Sequence, residues 1–248
     1  MLPVASDEKE QNLAIVTGGS RGLGEALVNA YEAREWSTFE LSRSGTGLNH
    51  MPLDLADFDA SLGVLEQQLQ SLAKTDWRRV VFVNNAGVLT PIGPVRSLQD
   101  GQIVRNLEVN LISGIRLMAA FVRAFENSRA AVTLVNISSG ASSKGYAGWP
   151  LYCAAKAGLE NFIRSLAAEQ IGTVNPMTCL NIEPGVVDTE MQAEIREAGA
   201  KLFPDVARFI ELKKSGKLRS PESVARAIID IVDSKPENGA RYRIADQA

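Results

Sequence analysis

The feature that most constrains this chain is an alternation. Short runs rich in Val, Ile and Leu, a few residues long, alternate with longer stretches that carry apolar residues at helical spacing. Strand-like runs are predicted over residues 13–16, 38–42, 48–53, 79–83, 131–137, 177–182 and 240–245. Between them, helices are predicted over 23–34, 58–72, 100–125, 150–171 and 221–232. Phe58, Leu62, Leu65, Leu69 and Leu72 illustrate the helical spacing. Strands separated by helices pair in parallel. Continuously apolar strands of this kind need cover on both sheet faces. The expectation is an α/β architecture. With 248 residues, it has length enough to bury a large core as one domain. No repeat or linker divides the chain. The one long excursion is residues 190–219, charged but rich in helix formers. It reads as a helical flap of two short amphipathic helices around Gly199 and Pro204. Met191, Ile195, Phe203 and Phe209 are among its apolar residues.

Composition narrows the function classes. The net charge of −3 offers no basic field for nucleic acid or an acidic membrane. Two cysteines, Cys153 and Cys179, make no disulfide framework. A single histidine, His50, excludes a multi-histidine metal site, and no metal is expected. No run of about 18 apolar residues predicts a membrane span. The first dozen residues are polar and acidic rather than signal-like, so a cytoplasmic location is expected.

In an open parallel sheet, ligands bind beyond the carboxyl ends of the strands. Residues 17–24, Thr-Gly-Gly-Ser-Arg-Gly-Leu-Gly, join the first strand to the first helix. Gly18 permits a tight turn, and Gly22 lets the backbone approach a pyrophosphate. Gly24 permits close helix packing, and the helix N-terminus attracts the phosphates. Ser20, Arg21 and Leu23 belong to the same cradle. The second strand ends in Ser42 and Arg43 rather than in an acid. With Arg21, Arg43 suits the 2′-phosphate of NADP(H). Glu40 dissents, because a strand ending two residues earlier would let it face a ribose.

Tyr152 and Lys156 are four apart in a predicted helix and so share a face. An ammonium near a phenol favours the phenolate and lowers its pKa, which suits proton transfer near neutrality. Upstream, Asn136-Ile137-Ser138-Ser139-Gly140 closes an apolar strand, where a serine can bond a carbonyl oxygen and the phenol together.

These motifs, with Asn84-Asn85-Ala86-Gly87 and Pro184-Gly185-x-x-x-Thr189, resemble the short-chain dehydrogenase/reductase family in order and spacing. The resemblance implies a single Rossmann-type domain, a doubly wound, mostly parallel seven-stranded sheet with helices on both faces. It implies Ser139, Tyr152 and Lys156 as catalytic residues. Asn110 joins them, its backbone holding a water that connects to Lys156. It assigns Asp54 and Leu55 to the adenine. Asn84, Ala86 and Gly87 fall along the adenosine ribose. Pro184, Gly185, Val187 and Thr189 fall to the nicotinamide, and Tyr152 and Lys156 contact the cofactor too. The implied reaction is hydride transfer from NADPH to a carbonyl, with Ser139 stabilising the oxygen and Tyr152 protonating it.

Residues 148–156, 188–192 and 214–218 further resemble sepiapterin reductases and benzil reductases, which reduce vicinal dicarbonyls. Trp149, Met191 and Asp246 are then candidate substrate contacts beside Ser139. Leu117, Phe121, Phe125, Phe162 and Leu166 put apolar surface on more than one face of their helices, and the expectation is a homodimer or homotetramer. Two other readings stay open: an NAD(P)-dependent alcohol, sugar or steroid dehydrogenase, and a non-enzymatic dinucleotide-sensing regulator.

Overall fold

The computed structural model describes residues 11–244. Asp246 lies outside them. Seven strands form one sheet: β1 (Asn12–Thr17), β2 (Ser37–Ser42), β3 (His50–Pro52), β4 (Arg79–Asn84), β5 (Ala131–Ile137), β6 (Thr178–Glu183) and β7 (Arg241–Arg243). Their order is β3-β2-β1-β4-β5-β6-β7. All six pairings are parallel, so the sheet is wholly rather than mostly parallel.

Period-two alternation decides what each face buries. Leu13, Ile15, Val80, Phe82, Val132 and Leu134 turn to one side. There they meet α2 (Asp59–Ala73), α4 (Ser113–Phe125) and α5 (Pro150–Glu169). Ala14, Val16, Val81, Val83, Val135 and Leu180 turn to the other side, onto α1 (Gly22–Glu32) and α9 (Pro221–Asp233). Because both faces are covered, the strands read as continuous apolar runs.

The chain winds outward from β1 through β2 to β3, then crosses to β4 and continues the other way. That reversal opens a crevice at the carboxyl ends of β1 and β4.

The helix expected over 100–125 is broken. α3 (Asp100–Leu107) passes through a π turn at Glu108–Ile112 before α4 begins. Asn110 sits in that turn, and its carboxamide explains the break. Its Oδ1 accepts from the Val88 N–H at 2.8 Å, and its Nδ2 donates to the Val88 carbonyl at 2.8 Å. The third strand is shorter than the expected 48–53. The flap contains three helices rather than two: α6 (Glu190–Glu197), α7 (Gly199–Leu202) and α8 (Val206–Lys214).

The apolar residues on α4 and α5 find cover within the chain. Leu117, Phe121, Phe125 and Leu166 are buried in the chain's own core, and Phe162 packs against it. They need no second copy to cover them.

Candidate active site

One cleft of about 670 Å³ runs over the carboxyl ends of the strands. Its nucleotide end begins at the glycine turn. Gly18 and Gly22 have φ of +66° and +59°, a backbone that side chains rarely adopt. A Cβ at Gly22 would stand 3.2 Å from the Thr189 methyl, a tight contact between the loop and the start of α6. The turn after β4 locks this loop. Asn85 and Ala86 donate their N–H groups to the Thr17 hydroxyl, and the Asn85 carboxamide donates to the Thr17 carbonyl.

Gly18, Ser20, Arg21, Gly22 and Leu23 line the cleft, as do Arg43, Asp54, Leu55, Ala86 and Gly87. Gly24 does not. It lies beneath the loop, where a Cβ would collide with the Gly18 carbonyl oxygen. Asn84 is also absent from the wall. It is buried and donates to Asn136 at 3.1 Å, while Asn136 donates to Asn181 at 2.9 Å. The three asparagines share one register across β4, β5 and β6 and form a ladder under the floor. The Asn84 side chain therefore ties strands together and does not line the cleft. Ser42 touches the cleft, but its hydroxyl donates to Glu40 at 3.1 Å and accepts from Gly45. Arg21 forms an ion pair with Glu190 at the start of α6.

Glu40 has partners of its own. It accepts from the Gly19 N–H at 2.8 Å, and His50 Nδ1 lies 2.5 Å from its Oε2. The carboxylate is buried behind the glycine loop, outside the main cleft. Residue spacing hid this, because His50 reaches Glu40 only through the β2–β3 pairing.

At the other end, Ser139, Tyr152 and Lys156 meet at the cleft wall. Ser139 sits where β5 ends, extended at φ −158°, and its Oγ accepts from the Ala141 N–H at 3.1 Å. Tyr152 and Lys156 occupy adjacent turns of α5, started by Pro150 at the first helical position. The Lys156 ammonium donates to the Ile137 carbonyl at 2.7 Å and lies 5.7 Å from the Tyr152 ring centre.

The electrostatics differ from expectation. Burial pushes the Tyr152 phenol up to about 12, against a downward pull from its hydrogen bond with Ser139. Burial pulls the Lys156 ammonium down to about 8, partly offset by Glu160. Desolvation is the largest influence on both groups. Burial thus favours the neutral phenol.

Pro184, Gly185, Val187 and Thr189 border this end, beside Trp149 and Met191. Trp149 is buried, with its ring 6.1 Å from Tyr152 and stacked on Phe203 at 4.2 Å. Phe203 backs the tryptophan and does not line the cleft, whereas Phe209 does. Asn110 stays behind the wall, its carboxamide spent on Val88 and Asn106.

The sequence reading missed Glu160. It is 2 % exposed. It accepts from Ser138, Ser142, Arg164 and Arg241. Its position four residues after Lys156 was the available signal.

A profile of short chain dehydrogenases matches residues 12–200. The chain belongs to that family. It is an oxidoreductase of a family that binds a nicotinamide dinucleotide. Among its relatives is a benzil reductase ((S)-benzoin forming) of Bacillus subtilis (strain 168), 34 % identical over 239 residues, covering 94 % of this chain and 98 % of the relative. The sepiapterin reductase of Bos taurus is 30 % identical, covering 96 % of each. The crystal structure of the KRED1-Pglu enzyme superposes with a TM-score of 0.79 at 31 % identity, covering 93 % of this chain and all of that one. No described helix of this family member is long and apolar enough to cross a membrane.

Proposed function

We propose that this chain is a single-domain, cytoplasmic carbonyl reductase that uses NADPH and acts on vicinal dicarbonyls. The observation that carries the reading is the meeting of Ser139, Tyr152 and Lys156 on one cleft wall, with the Lys156 ammonium 5.7 Å from the Tyr152 ring centre.

The residues present fit the nucleotide. Gly18 and Gly22 line the cleft at positive φ without side chains, and the first residues of α1 border it. Asp54 and Leu55 would hold the adenine end, and Val187 and Thr189 the nicotinamide end. The preference for NADPH rests on the tip of β2. Arg43 faces the cleft, and the acid that would favour a free ribose, Glu40, is taken by Gly19 and His50.

When bound, the reduced nicotinamide supplies the hydride. Ser139 donates to the carbonyl oxygen and stabilises it as charge develops. Tyr152 gives its proton to that oxygen, completing the alcohol. Lys156, fixed by the Ile137 carbonyl, stabilises the phenolate left behind and would hold the nicotinamide ribose. The substrate side is walled by Trp149, Tyr146, Phe209, Leu89 and Met191, which suits an aryl or pterin ring. The names of the relatives in Bacillus subtilis and cattle support a dicarbonyl within that class. Asp246 remains a proposed substrate contact, and a homodimer or homotetramer remains the proposed assembly.

The test is NADPH consumption with benzil, sepiapterin and simple aldehydes, for the parent and Tyr152→Phe. Turnover of the diketones, lost by orders of magnitude in Tyr152→Phe with NADPH binding intact, is expected. Turnover within a few-fold of the parent would remove Tyr152 as the acid.

A further inference from the structure

We infer that Glu160 is a positioning residue for the reaction, clamping the Ser139 turn onto α5 so that the serine hydroxyl meets the Tyr152 phenol. The inference rests on the assignment of Ser139, Tyr152 and Lys156 proposed above.

Tyr152, Lys156 and Glu160 stand at successive four-residue steps on α5 and share one buried face. The first two serve the cleft. The third would be a costly core carboxylate without a compensating set of donors. Its Oε1 accepts from Ser138 Oγ at 2.5 Å and from Ser142 Oγ at 2.6 Å. Those two serines flank Ser139 on either side. Arg241 of β7 donates to the same oxygen at 2.8 Å, and Arg164 donates to Oε2 at 2.8 Å. Arg241 in turn bonds Glu183 at 2.7 Å, the last residue of β6, and reaches the Ser139 carbonyl at 3.4 Å. The asparagine ladder ends at the same place, because Asn181 donates to the Glu160 carbonyl at 3.2 Å. Four elements therefore converge on one residue, and the segment they hold is the serine turn.

A carboxylate so surrounded stays ionised. Burial alone would push it up, but Ser138, Ser142 and Arg241 outweigh burial and hold it below the ordinary carboxylate value. The charged groups around it are Lys156 and Arg164 on α5, Arg241 on β7 and Glu183 on β6. Its charge also favours the ammonium form of Lys156, one turn away. Glu160 thus acts on the chemistry in two ways, by geometry through the serines and by charge through the lysine.

Two variants separate these effects. Ser138→Ala/Ser142→Ala removes the clamp and leaves the charge. Its kcat for diketone reduction is expected to fall on the order of ten-fold, with NADPH affinity by fluorescence titration within about three-fold and the alkaline limb of the pH profile unmoved. Glu160→Gln removes the charge as well. Its kcat is expected to fall at least as far, with the alkaline limb displaced to lower pH by about half a unit or more. If Glu160→Gln does not fold, the double serine variant decides alone. A kcat within two-fold of the parent in every folded variant, with the limb unmoved in Glu160→Gln, would overturn the inference and leave a structural ion-pair network. Tyr152→Phe is measured alongside. Its inactivity keeps a negative result specific to Glu160, whereas parent-like activity would overturn the assigned centre and this inference with it.

Discussion

Replacing Lys156 by Met is expected to abolish catalysis and to make the protein more stable. Lys156 is 4 % exposed, and burial lowers its pKa from 10.5 to about 8. At about 1.4 kcal/mol per pH unit, keeping this ammonium charged inside the fold costs on the order of 3 kcal/mol. Below pH 8 the lysine is protonated in both the folded and unfolded chain, so the cost is present in full. Between 8 and 10.5 the folded chain has shed the proton while the unfolded chain still binds it. Parent stability therefore rises with pH through that window, and the cost disappears near its top. Methionine is unbranched and apolar and fills a similar path. The loss is the donor to the Ile137 carbonyl, about 1–2 kcal/mol. Glu160 keeps its serine and arginine partners. The net expectation at neutral pH is a gain of about 1–2 kcal/mol, or roughly 2–8 °C in Tm for a chain of this size. The assay is thermal and urea denaturation of both proteins without nucleotide, at fixed protein concentration, between about pH 6 and 9.5. The reasoning fails if Lys156→Met is less stable than the parent near pH 7 by more than about 1 kcal/mol. It fails equally if the gap between the two does not shrink as pH rises above 8.

Arg43→Ala should weaken NADPH binding by more than about ten-fold and leave NADH nearly unchanged, as expected for one charge-assisted contact to the 2′-phosphate; equal losses in titrations of the two would remove Arg43 as the discriminator. In the pH profile, kcat/KM for reduction should be level up to about 8 and then fall as Lys156 loses its proton, while a profile level to pH 10 would show that the ammonium is dispensable. Phe203→Ala should destabilise the protein by about 3 kcal/mol or more and disturb Trp149, whereas Phe209→Ala should mainly change the preference between aryl and small aliphatic diketones. Reversal of those two outcomes in melting and substrate-panel measurements would mean that Phe203, not Phe209, faces the substrate. Light scattering at micromolar concentration should give at least a dimer; a monomer would refute the proposed pairing.

The fold class was legible because parallel strands buried on both faces are apolar throughout, and the helices between them carry a different period. The motif positions were legible because each turn needs particular residue types: glycines at positive φ after β1, a serine where β5 ends, and a phenol and an amine one turn apart on α5. The breaks were not legible. Nothing local distinguishes Glu108–Ile112 from continuous helix, because the π turn exists to let the Asn110 carboxamide meet Val88, 22 residues away.

The sequence by itself determined the alternation of elements, the glycine cradle and the spacing of Tyr152 and Lys156, because these depend on backbone sterics and helical period. Only the tertiary structure decided what each polar group bonds and how its pKa moves. Glu40 was ambiguous until β3 brought His50 to 2.5 Å from it. The Asn84 side chain had no visible partner until the β4–β5–β6 register aligned it with Asn136 and Asn181. Lys156 was expected to lower the Tyr152 pKa, but burial raised the phenol and lowered the amine. Hydrogen-bond partners and desolvation come from segments distant in sequence, so they are properties of the packed core and not of any local stretch.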